Sequence, residues 1–196
     1  MNEKNTKILF YGALWGGIEA TLGYLMHLLL VPYTGFVMFP IGAYFMRRGM
    51  IETEDKRSPI YIALVAAAIK CADFFMPNVL AIKVINPAIA ILLQGVAVTI
   101  FITAINKDVF VKAFSASIGW RLCFIALVLI ESLSGAEMRL LSTGILGIAR
   151  YLVVDSFVNA VLIYALVKGV PYKRITVKPA FALMTLMIAL AVNVAL

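Results

Sequence analysis

Residues 7–31 read KILFYGALWGGIEATLGYLMHLLLV. The stretch is long enough to cross a bilayer, since about 20 apolar residues at ~1.5 Å each span the ~30 Å hydrocarbon core. Gly12, Ala13, Gly16, Gly17 and Ala20 form a ridge that another helix can approach closely, whereas Glu19 and His27 are costly when they face lipid. The segment reads as a packed, functional helix rather than an inert anchor.

The rest of the chain has the same character. Over 196 residues, 63% are hydrophobic and only 14% charged, far from the composition of a water-soluble domain. Long continuous apolar runs, rather than alternation at every second residue, favour helices over a transmembrane barrel. The expected fold is therefore an all-α polytopic transmembrane bundle forming a single integral membrane domain over residues 1–196.

Six further segments follow the first. Residues 35–46 give a short or broken helix around Pro40 and Gly42, and a charged loop over 47–57 precedes a segment at 58–76. A fourth runs from about 86 to 105, with Asn86 as its cap and Pro87 at its first position. The fifth spans 112–133, the sixth starts between 140 and 147 and continues to 168, and the seventh covers 179–196. Turns are expected at 32–34, at 77–78 and at 134–135.

Charge placement tests this division independently. With the N-terminus in the cytoplasm, the inner segments hold twelve cations: Lys4, Lys7, Arg47, Arg48, Lys56, Arg57, Lys107, Lys112, Lys168, Lys173, Arg174 and Lys178. The outer segments hold two, Lys83 and Arg139. That asymmetry is the positive-inside pattern, and it accounts for the net charge of +7 without nucleic acid as a partner. The expected location is the cell membrane, multi-pass, of a prokaryote.

Several chemistries find no support. Cys71 and Cys123 fall inside membrane segments, which argues against a disulfide framework, and a single histidine leaves a metal or haem site short of ligands. The first segment is too long and too polar for a cleaved leader. No HExxH, GxSxG or phosphate-binding glycine loop appears, so neither an enzyme nor a cofactor is expected.

The polar residues instead form layers. Counting ~1.5 Å per residue from the inner ends puts Glu19, Lys70, Gln94, Arg121 and Asp155 roughly 14 to 20 Å deep. His27, Asp73, Glu131 and Arg150 fall about 22 to 30 Å deep, near the outer mouth. Lys70 and Asp73 share a helix face and either neutralise one another or serve a site. Arg121 is expected to pair with Asp155 or Glu19, and Asp155 shares a face with Asn159. Such groups either contact a polar solute amid apolar walls or bind helices together.

Three stretches, GALWGGIEATLGYLMHLL (12–29), PYTGFVMFPIGAYFM (32–46) and INPAIAILLQGVAV (85–98), give the layout a family likeness. It resembles the substrate-binding S components of energy-coupling factor (ECF) transporters, small membrane proteins that capture vitamins and micronutrients, over residues 7–168. The resemblance implies a six-helix core, to which residues 179–196 add a seventh helix that departs from the family pattern. It implies docking through Gly12, Gly16 and Ala20, flanked by Ala13 and Gly17, onto a transmembrane coupling protein joined to two ABC ATPases. It also implies an outer site for a small polar or zwitterionic solute at His27, Asp73, Gln94, Glu131, Arg150 and Asp155, in preference to Arg121. The alternatives are a self-sufficient proton-coupled carrier or channel, and a membrane scaffold without transport.

Overall fold

Helix α1 (Glu3–Leu28) runs unbroken through the opening stretch, because its glycines are offset by long apolar side chains and by the helices packed on it. The computed structural model describes residues 1–29, 35–76, 79–104, 108–133, 139–171 and 173–195, and among these there is no strand. The expected turns at 32–34, 77–78 and 134–135 lie outside the described residues. So does the side chain of His27, although its backbone belongs to α1.

Helix α2 (Gly35–Thr53) corrects the expected short or broken helix over 35–46. It passes through Pro40 and absorbs much of the expected charged loop, because Arg48 and Glu52 lie one turn apart and pair at 3.4 Å in its last turns. Glu54, at φ 55°, takes the left-handed conformation that terminates a helix. Helix α3 (Ser58–Cys71) then starts with proline at its first turn and tightens into a 3₁₀ turn over Ala72–Phe75.

Helix α4 (Ala81–Ala104) begins about a turn before the expected start, so Pro87 sits inside it and Asn86 is not its cap. Proline there removes only the hydrogen bond to the Lys83 carbonyl, close to the helix end. Helix α5 (Val109–Leu133) follows. Two short pieces, α6 (Arg139–Ser142) and α7 (Gly144–Ala149), lead through a π-helical turn at Arg150–Val154 into α8 (Asp155–Gly169). Helix α9 (Pro179–Ala195) closes the described chain.

Among the described residues, four helical stretches are long and apolar enough to cross a membrane: Ser58–Phe75, Ala81–Phe101, Val109–Leu133 and Gly144–Gly169. Their outward faces carry Leu64, Ile100, Leu122, Leu129, Ile130 and Phe157, all exposed. Apolar side chains spread over the outside in this way suit lipid, and the chain is a membrane protein.

Close helix approach depends on missing Cβ atoms. A Cβ on Gly16 would stand 2.5 Å from the Ile69 side chain and 3.3 Å from the Ala66 backbone, and one on Gly42 would meet the Trp15 indole at 2.5 to 2.8 Å. In lipid such contacts are driven by dispersion rather than by water release, so surface fit decides which faces pair. Helix α1 consequently sits among α2, α3 and α9. The core centres on Trp15, Phe39, Met46, Ile62, Val98 and Trp120, all buried.

The end bearing the N-terminus is laced with charge. Lys4 pairs with Asp55 at 2.6 Å, Lys7 with Glu3 at 2.7 Å and Arg174 with Glu54 at 3.1 Å. Tyr11 donates to Glu52 at 2.7 Å, and Arg48 donates to the Lys173 carbonyl at 2.8 Å. These bonds tie the start of α1, the end of α2 and the segment leading to α9 into one cap.

Candidate functional site

Arg121 lies mid-way along α5 and is 1% exposed. Its guanidinium packs 4.7 Å from the centre of the Trp120 ring and 5.1 Å from that of Tyr151. One Nη donates to the Ser117 carbonyl one turn back at 3.2 Å and to Ser156 Oγ on α8 at 3.3 Å. Among the described residues the Nε–H has no partner, nor does the buried indole Nε1–H of Trp120. An unsatisfied buried donor costs about 1–3 kcal/mol, more when it is charged.

The walls are aromatic. Phe39, Phe124 and Tyr151 stand with ring centres 5.6, 6.1 and 6.2 Å from that of Trp120. Asp155, Ser156 and Asn159 are buried on the α8 face opposite. The π turn helps to place them: its wider coil inserts register between α7 and α8, so that Tyr151, Asp155 and Asn159 all point inward while Arg150, Val153 and Val154 stay exposed. Oriented to satisfy its surroundings, the Asn159 amide donates to the Asp155 carbonyl at 2.8 Å and to the Phe36 carbonyl of α2 at 3.2 Å.

The expected ion pair of Arg121 with Asp155 or Glu19 does not form among the described residues. Arg121 and Arg150 both bring positive charge toward Asp155, yet among the described residues neither closes to ion-pair distance. The guanidinium is spent on Ser117, Ser156 and two ring faces instead. Arg121 thus stands at the centre of a buried cluster, with Trp120, Tyr151 and Ser156 as partners that the sequence reading did not single out. A cation beside tryptophan was the available signal, but the pairing with Tyr151 and Ser156 spans two helices.

The other expected site residues are scattered. Asp73 pairs with Lys70 at 2.6 Å and accepts a hydrogen bond from Asn193 of α9, whose amide also donates to the Ile69 carbonyl at 3.0 Å. Glu131 accepts from Asn86 of α4 at 3.0 Å. Gln94 is buried on α4 without a hydrogen bond to these groups, and Arg150 is exposed at the start of the π turn. Of the expected set, with the His27 side chain outside the described residues, Asp155 joins the Arg121 cluster.

Comparison with known proteins finds no matching family model, no matching curated protein and no matching solved structure. The geometry stands by itself: two donors without partners among the described residues, inside an aromatic cage and beside a carboxylate and a carboxamide. Donors of this kind can bond carboxylate or carbonyl oxygens, and the cavity of about 190 Å³ that adjoins the cluster is lined by Phe39 and not by Arg121 or Trp120. Among the described residues no group of three His, Cys, Asp or Glu side chains is placed to hold a metal, and Cys71 and Cys123 are free thiols.

The small-residue ridge of α1 is used within the chain. Gly12 and Gly16 face Val65, Ile69 and Ala66 of α3, and Gly17 faces Ala189 of α9. Ala13 and Ala20 are buried. Ala13 and Gly17 also border a groove of about 200 Å³ between α1 and α9, walled mainly by apolar side chains.

Proposed function

We propose that the chain is the solute-capturing membrane subunit of a micronutrient importer, similar to the S component of an ECF transporter. It crosses the membrane seven times with its N-terminus in the cytoplasm and is energised by partner ABC ATPases through a transmembrane coupling protein. The observation that carries this reading is the pair of buried donors without partners, Arg121 Nε and Trp120 Nε1, in the cage shared by α5 and α8. Their cost is offset when a solute supplies acceptors, so the favoured solute carries a carboxylate or carbonyl group and a flat or apolar body.

Since Gly12 and Gly16 are covered by α3 and Gly17 by α9, docking on a coupling protein falls to the groove between α1 and α9, along Ile18, Thr21, Ile188 and Val192. Mass spectrometry of small molecules copurified with the detergent-extracted protein tests the capture. A stoichiometric solute lost on Arg121→Met is expected, and a preparation free of any bound small molecule overturns the reading. Recovery of ATPases with the chain tests the energy source.

Buried Asp155 without an ion pair also favours a second reading, a proton-coupled carrier acting alone. Solute flux driven by a pH gradient in liposomes holding only this chain, abolished by Asp155→Asn, separates the two.

A further inference from the structure

A cavity of about 190 Å³ lies among α2, α4, α5 and α8, toward the end of the bundle that bears the N-terminus. Its floor is Phe39, Ala43, Val98 and Ala116, all buried. Its rim, on α2 and α5 nearer that end, holds Arg47 and Lys112, both half-exposed. From Phe39 to Arg47 is eight helical residues, so the floor lies ~12 Å below the rim. A void this size lined by hydrocarbon stays dry unless an apolar guest fills it, since cavities of ~150 Å³ with such walls take up benzene-sized molecules rather than water.

The rim cations differ from their neighbours. Lys4, Lys7, Arg48 and Arg174 each have a carboxylate within 4 Å, whereas Arg47 and Lys112 have none among the described residues. Asp108, one turn before Lys112, is turned instead to the Val109 N–H at 2.6 Å. Two cations with no carboxylate beside them among the described residues, above an apolar shaft at the end of a membrane bundle, match a molecule with a negative head and a hydrocarbon tail.

We propose that this cavity binds one anionic phospholipid from the adjoining leaflet. The phosphate bridges Arg47 and Lys112, and part of an acyl chain descends between Ala43 and Ala116 to Phe39. Clustered basic residues facing a pocket between transmembrane helices recognise anionic headgroups, each cation near the surface contributing about a fivefold preference. The cavity shares Phe39 with the Arg121 cage but none of its polar groups, so the headgroup preference can be read whether or not that cage binds a solute.

Native mass spectrometry of the delipidated full chain in detergent tests the proposal. The probes are phosphatidylglycerol, phosphatidylcholine with the same acyl chains, and inorganic phosphate. Expected is one retained phosphatidylglycerol, favoured over phosphatidylcholine by roughly thirtyfold, with the preference lost in Arg47→Gln/Lys112→Gln. Ala116→Leu, which fills the floor but spares both cations, is expected to weaken retention as well. If the double variant does not fold, as read by circular dichroism, the single variants decide, each losing about fivefold. Equal retention of the two lipids, an unaltered preference in the folded charge variants, or displacement by inorganic phosphate alone overturns the proposal.

Discussion

Replacing Arg121 by methionine removes the buried guanidinium and with it the bonds to Ser117 and Ser156 and the stacking on Trp120 and Tyr151. Buried Asp155, already outside ion-pair distance of Arg121, loses one of the positive charges that reach it. Loss of the hydrogen bonds made by the buried guanidinium is expected to cost about 1.5–3 kcal/mol. Adding Asp155→Asn removes the buried charge. Because the two groups are not in contact, the double variant should regain only part of the loss, and the coupling energy of the cycle is expected to be about 0.5–1 kcal/mol. Equilibrium unfolding of the four proteins in one detergent, at one pH, measures it. A double variant no more stable than Arg121→Met alone refutes the coupling. A stable double variant that has lost its copurified solute places the value of Arg121 in binding rather than in folding.

Three further outcomes are expected. Gly42→Ala drives a methyl group into the Trp15 indole and should cost about 1–3 kcal/mol in unfolding, whereas Gly169→Ala, with open space around it, should stay within about 0.5 kcal/mol. Asn193→Leu removes the bonds to Asp73 and Ile69 and should destabilise the α9 contact by about 1–3 kcal/mol, read as faster amide exchange in α9 with α5 unaffected. The ion pair with Lys4 and the Arg57 N–H hold the Asp55 carboxyl below its usual pKa. Its contribution is therefore complete above the unfolded value near 3.9 and fades as pH falls through the lower folded value; Asp55→Asn should lower stability at neutral pH by a small, solvent-screened amount and leave it unchanged below the folded value, so that the acid limb of the profile is flatter.

The membrane character and the helical class were legible because they depend on summed quantities. Apolar runs of 18 residues or more fix them whatever the neighbours do, and α3 with its 3₁₀ turn, α5 and α9 occur close to where the pattern puts them. Boundaries set by single residues were less legible. Pro40 and Pro87 looked like punctuation, yet both sit inside helices, since one missing hydrogen bond is small beside the packing of a whole helix face.

Pairings were legible where spacing along one helix suffices, as for Lys70 with Asp73 and for Asp155 with Asn159. They were not legible where two helices have to meet. Depth counting grouped Asp73, Gln94 and Glu131 into one outer layer, but a layer fixes only height, and rotation about each helix axis sends Asp73 to α9 and Glu131 to α4.

The sequence by itself thus determined a basic, helix-forming membrane chain whose first segment is ridged with small residues. Only the tertiary structure decided that Gly12 and Gly16 serve α3 and Gly17 serves α9, and that Arg121 rather than the outer carboxylates occupies an aromatic cage. The physical reason is that composition and periodicity are properties of single segments. Which face meets which depends on surface fit between helices far apart in the chain, such as the glycine face of α1 on Ile69, and no local pattern encodes it.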